Sequence, residues 1–223
     1  MPLFPLGAAL MPGMELPLHI FEDRYRRMME ERRGVDPAFG VVLIRAGREV
    51  ADRPEIFRIG TAATLVAMTE HEDGRYSIVI RGGRRFNVVA EDWSTNYLTG
   101  GIEWLAEPVG DADRCRELAI GATERWRQFV AALARMVGDR DEGDAIADQI
   151  VLRLPADPTE RCYAILGQLP VPAASRQRLL ELPATDSRLR ALIDLVDTER
   201  RLMTAFDTMP TLSYATNRPV GTN

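Results

Sequence analysis

The sequence predicts an α+β fold, a β-rich half followed by a helical half, and three observations carry that expectation. Apolar residues fall in short runs or alternate with period two through the first hundred residues, around one short helical segment. They recur every three or four residues from Asp113 onward. Between the two halves, Glu107 to Asp111 holds Pro108 and Gly110, the composition of a boundary. The expected organisation is a β-rich subdomain at 1–110, a helical subdomain at 111–206 and a tail at 207–223 rich in proline and polar residues.

In the first half, Leu3 to Leu6 is short and apolar, and Met11-Pro12-Gly13 supplies a turn. Glu15 to Ile20 is a second strand, in which Pro17 indicates an edge or a bulge. The period then changes. Phe21, Tyr25, Met28 and Met29 share one helical face, so a helix is expected over Phe21 to Arg32, stopped by Gly34 to Pro37. Phe39 to Ile44 is a continuous apolar run, hence a buried strand. Ile59 to Thr69 and Tyr76 to Arg81 flank Asp73-Gly74, a hairpin signal because a type I′ turn needs positive φ. Gly82-Gly83 interrupts the alternation before Phe86, Val88 and Ala90 resume it, which suits a corner in a closing sheet. Tyr97 to Trp104 supplies the last strand. Short strands around one helix predict a small, partly closed barrel.

In the second half, Cys115, Leu118, Ala122, Trp126, Phe129, Leu133 and Met136 form a helical stripe from Asp113 to Val137. Gly138 to Gly143 is a charged turn, and Ala145 to Leu154 a short helix closed by Pro155. Asp157-Pro158-Thr159-Glu160 places an N-cap acid, proline at N1 and glutamate at N3, so a helix starts there and runs to about Leu169. Ala173 to Leu182 and Asp186 to Phe206 complete five helices.

Composition narrows the chemistry. All 28 basic residues are arginines, and the chain has no lysine. Arginine keeps its proton at any reachable pH, so it replaces lysine neither as Schiff-base amine nor as the base of a Ser-Lys dyad. There is no Gly-x-x-x-x-Gly-Lys-Ser/Thr loop for nucleotide phosphates and no Gly-x-Ser-x-Gly elbow. The chain is therefore expected not to be an enzyme and to need no cofactor or metal. His19 and His71, with Cys115 and Cys162, lack metal-ligand spacing. His19 is expected to be a satisfied structural residue and His71 a solvated one, and Glu70, Glu72 and Asp73 a solvated loop. Two cysteines without a CxxC pair fit buried free thiols in a reducing cytoplasm. The first residues are broken by Pro2, Pro5, Pro12 and Pro17 and carry no basic start, so neither a signal peptide nor a membrane association is expected.

Net charge is −5 and evenly spread, with 13 Arg against 16 acids in residues 1–110 and 15 against 17 in the rest. Arg75, Arg81, Arg84 and Arg85 form the one basic concentration, without interleaved exposed aromatics for base stacking. Nucleic-acid binding is the less favoured of two binding readings.

FPLG at 4–7, Pro12-Gly13, LPLHIFEDRYRRM at 16–28, FGVVLI at 39–44, IGTAATL at 59–65 and DGRYSIVIRGGRRFNV at 73–88 are ordered and spaced in a recognisable way. So are LPADPTERCYAIL at 154–166 and RQRLLELPATDSRLRALI at 176–193. Together they resemble the N-terminal substrate-binding domain of ATP-dependent Lon proteases. The resemblance covers roughly residues 1–206. It implies a PUA-like pseudobarrel followed by a helical bundle, and a role in recognising unfolded or tagged polypeptide, or one specific protein partner. The Lon nucleotide-binding and protease modules have no counterpart here, so a stand-alone, noncatalytic recognition module is expected. An RNA-binding PUA-like module is the alternative. The surface expected to contact polypeptide is the first helix, through Asp23, Arg24 and Arg27, while Phe21, Tyr25 and Met28 are expected to plug one barrel mouth.

Overall fold

The computed structural model describes residues 1–48, 53–137 and 143–206. The expected tail at 207–223 and most of the charged turn after Val137 lie outside them. The chain separates into two compact units, with the division between Ala106 and Glu107.

Among the described residues, the first unit holds seven strands and one helix: β1 (Leu3–Leu6), β2 (Glu15–Ile20), α1 (Asp23–Glu31), β3 (Phe39–Ala46), β4 (Glu55–Ile56), β5 (Ile59–Glu70), β6 (Tyr76–Asp92) and β7 (Thr99–Trp104). The sheet runs β1-β3-β5-β6-β2, with β7 also on β6 and β4 on β3. The β1–β3 pair is parallel, and the other pairs are antiparallel. Closure comes from β7 returning to β1. Pro2 bridges Thr99, Leu3 N–H donates to Leu98 O at 2.8 Å, and Gly100 N–H donates to Met1 O at 2.9 Å.

The glycine pair at 82–83 does not end a strand. β6 runs through it and changes partner: Tyr76 to Arg81 pair with β2, Phe86 to Asp92 with β7. At the changeover the β5–β6 register shifts between Thr61 and Ala63. Gly82 N–H donates to Met14 O, and Gly13 N–H donates to Gly82 O. A Cβ on Gly82 would stand 2.1 Å from Met11 O, so the strand crosses this turn only without a side chain.

The core follows from the alternation. Tyr76, Ile78 and Ile80 are buried, with Phe4, Leu6, Phe39 and Val41 from neighbouring strands. Tyr25, Met28 and Met29 of α1 join the same cluster, so the apolar face of the helix caps the barrel as expected. The helix is shorter than the periodicity implied. Its N-cap is Glu22, which leaves Phe21 outside it and 39% exposed. A second cluster gathers around Phe86, whose ring would collide with a Cβ on Gly40 or Gly60.

The second unit is helical: α2 (Ala112–Val137), α3 (Gly143–Val151), α4 (Pro158–Gln168), α5 (Ala173–Leu180) and α6 (Thr185–Phe206). The long helix α2 contacts α3, α4 and α6. Cys115, Ala122, Trp126 and Phe129 of its stripe are buried, with Trp126 stacked on Phe129 at 5.5 Å. Asp157 caps α4 as its sequence implied, its Oδ1 accepting from Thr159 N–H at 2.9 Å and Glu160 N–H at 3.0 Å.

Candidate functional site

The sequence directs attention to α1 and the strand before it. The pairing of β2 sets what this region exposes. Gly82 N–H donates to Met14 O, so even-numbered β2 residues make the hydrogen-bonded pairs with β6. Pro17, which has no N–H to give, falls where the backbone faces away from β6. β2 ends the strand path, so its outer edge has no strand partner among the described residues, and the proline blunts it.

Directly paired residues share a sheet face. On the inner face, Leu16, Leu18 and Ile20 sit opposite Ile80, Ile78 and Tyr76. The outer face carries three rows across β2, β6 and β5: Glu15–Arg81–Thr64, Pro17–Val79–Ala67 and His19–Ser77–Thr69. The first row is closed by an ion pair of 2.5 Å between Arg81 and Glu15. The middle row is apolar. The third row continues into aromatic rings, with His19 6.5 Å from Phe21 and 5.9 Å from His71.

The three residues expected to bind polypeptide differ in their surroundings. Asp23 is exposed, its side chain 82% accessible, and it pairs with Arg26 at 2.6 Å. Arg26 also donates to Gly74 O at 3.1 Å, tying α1 to the β5–β6 hairpin. Arg27 is exposed one helical turn after Asp23, on the same side of the helix. Arg24 is turned toward the barrel: its guanidinium lies over the Tyr25 ring at 4.6 Å and pairs with Glu22 at 2.8 Å. Asp23 and Arg27 thus form an outward pair, and Arg24 is held against the helix start.

Acid–tyrosine contacts fasten the helix to the barrel. Tyr76 O–H donates to Glu30 at 3.1 Å, and Tyr97 O–H donates to Glu31 at 2.5 Å. Burial and the nearby Glu31 carboxylate push the Tyr97 phenol up to about 12. Burial, with Glu30 next, also raises Tyr76. Both tyrosines therefore stay neutral donors at neutral pH. In the hairpin, the Arg75 guanidinium beside Asp73 holds its carboxyl down to about 2, so Asp73 is an ion-paired turn residue.

The basic concentration at 75–85 is not a free cationic surface. Arg75 and Arg81 are ion-paired, and Arg85 is 2% exposed, with Nη2 donating to Ala106 O. Arg84 covers the Trp104 ring at 4.9 Å. Trp104 is 43% exposed, an aromatic beside this segment that its linear distance concealed. His19 also departs from expectation. It is partly exposed and in ring contact with His71, because it lies on the outer row and not the core row. The register of two strand pairs brings the histidines together, and spacing along the chain carries no sign of it.

The model of the ATP-dependent protease La (LON) substrate-binding domain matches residues 1–198. The chain belongs to this family. Among Lon relatives, Lon protease 2 of Syntrophobacter fumaroxidans is 25% identical over 189 residues, which is 84% of this chain and 23% of that protein. Lon protease of Escherichia coli K12 is 22% identical over 208 residues, 91% of this chain and 25% of that protein. The chain thus spans about a quarter of the length of the curated Lon proteases it matches. Among solved structures, a Lon N-terminal domain protein from Xanthomonas campestris superposes with a TM-score of 0.59 at 25% identity, covering 87% of this chain and 96% of that one. The N-terminal domain of a Mycobacterium avium complex Lon protease gives 0.60 at 22% identity over 88% and 97%, a likeness of fold. The α+β architecture is that of Lon N-terminal domains. No helix among the described residues is long and apolar enough to cross a membrane.

Proposed function

We propose that this chain is a noncatalytic recognition module that captures unfolded or tagged polypeptide in the cytoplasm, through α1 and the outer face of β2. The observation that carries the reading is the Lon substrate-binding match over residues 1–198. The surface supports it. Pro17 and Val79, with half-exposed Phe21, offer apolar contact, flanked by the outward charges of Asp23 and Arg27. Apolar area with scattered charge binds extended chains without strict sequence preference. Ordering such a client consumes part of the contact energy, so affinity is expected in the micromolar range or weaker. Arg24, braced by Glu22 and Tyr25, is proposed to contribute least of the three charged residues.

Fluorescence anisotropy with labelled unfolded casein and labelled single-stranded RNA tests the reading. Casein binding that falls several-fold in Phe21→Ala and in the double variant Asp23→Arg with Arg27→Glu, at unchanged melting temperature, supports it. Tight, salt-sensitive RNA binding without casein binding would replace it with the RNA reading, for which Arg84 and Trp104 are the residues to test.

A further inference from the structure

The chain has only two histidines, and the fold places them side by side. His19 and Thr69 flank Ser77 across β6, and two residues beyond Thr69 the chain reaches His71 at the hairpin turn. The ring centroids are 5.9 Å apart, with planes inclined at 54°. An ion bound at about 2.0–2.1 Å by two imidazoles in a roughly tetrahedral arrangement needs centroids roughly 5–6 Å apart. The hydroxyl of Ser77 lies 2.8 Å from His71 Nε2. If that nitrogen carries the proton and donates to Ser77 Oγ, Nδ1 keeps its lone pair for a metal. This is the outer hydrogen bond by which ligating histidines are oriented.

We propose that His19 and His71 form a two-imidazole site for a late first-row divalent cation of the zinc, nickel or copper kind. Imidazole nitrogen selects these ions over magnesium and calcium, which take oxygen ligands. Among the described residues no group of three or more His, Cys, Asp or Glu is arranged to hold a metal. Asp73, two residues after His71 in the same turn, is engaged by Arg75. Water therefore completes the coordination, and the ion exchanges readily. A bound ion would clip the edge strand β2 to the β5–β6 hairpin beside Phe21. The site stands independently of what the module captures.

Two histidines give two imidazole signal sets, so long-range proton–nitrogen spectra during a zinc chloride titration report both ligands at once. Both rings are expected to shift together to a one-to-one endpoint, to return on addition of EDTA, and to ignore magnesium. His71→Gln should abolish the response of His19, and His19→Gln that of His71. Each should weaken zinc binding by more than the roughly 10- to 100-fold cost of losing an outer partner, with the circular dichroism spectrum unchanged. Ser77→Ala should bind zinc with both rings still responding. Movement of one ring alone, of neither, or zinc affinity unaltered by either glutamine variant would overturn the site.

Discussion

The two units are held by opposite devices. In the barrel unit the backbone itself comes close, and glycine is what permits it. Phe86 lies over Gly40 and Gly60, Leu3 over Gly100, and Met11 O stands against Gly82. In the helical unit, long side chains reach for carbonyls. Arg176 of α5 donates to Leu166 O and Leu169 O at the end of α4, at 3.3 and 2.8 Å. Arg188 of α6 donates to Leu179 O and Leu182 O at the end of α5, at 3.2 and 2.8 Å. Each arginine supplies donors that a helix C-terminus lacks, from the helix that follows. The barrel should therefore be most sensitive to atoms added, and the helical unit to atoms removed.

The largest expected effect tests the barrel side. Gly82→Ala places a methyl group against a backbone oxygen and should destabilise the protein by roughly 4 kcal/mol or more, while Gly83→Ala, with its nearest atom at 3.5 Å, should be within about 1 kcal/mol of wild type. Equal melting temperatures for the two variants would break the comparison.

Arg188 offers the counterpart. It is fully buried, its guanidinium lies 4.6 Å over Tyr163, and Nη1 is 3.3 Å from Glu107 Oε2 without hydrogen-bond alignment. Tyr163 O–H donates to the same carboxylate at 3.0 Å. Arg188→Ala opens a void and removes two hydrogen bonds to backbone carbonyls, for an expected loss of about 3 kcal/mol by chemical denaturation. A loss below about 1 kcal/mol would show that water takes over its bonds. Asp157→Ala removes one N-cap and should cost about 1 kcal/mol. An unchanged denaturation midpoint would mean that Thr159 and Glu160 N–H find other acceptors.

The smallest effect has the opposite sign. Burial raises the Glu199 carboxyl above its usual range. A carboxyl with a raised folded-state pKa binds its proton more tightly when folded, so its ionisation subtracts stability as pH rises through that value. Glu199→Gln should raise the melting temperature slightly at pH 7 and not at pH 4. A fall at pH 7 would reverse the assigned cause.

The contrast also explains what was legible in the sequence. Apolar runs bounded by turn residues located β1, β2, β3 and β5, and helical period with cap and proline signals located the five helices, because each of these signals is local in the sequence. The Asp157 cap was legible because donor and acceptor lie within four residues. β4 was not, since Glu55–Ile56 is two residues long and exists only by pairing with β3. The caps from Arg176 and Arg188 were hidden for a related reason: a carbonyl that needs a donor leaves no mark in residue identity. At the candidate site the buried face of α1 was legible from its spacing. The rings of His19, Phe21 and His71 were not, because cross-strand register brings them together. The period places Phe21 on the helical face, and the extended Glu22 cap displaces it from that face.

The central claim is that the face formed by β2 and α1 receives polypeptide. Hydrogen exchange of the whole chain, with and without saturating unfolded casein, tests it most directly. Slowed exchange is expected chiefly at residues 15–27 and at the facing strand, 76–81. Protection restricted to α2 through α6, with 15–27 unchanged, would contradict it.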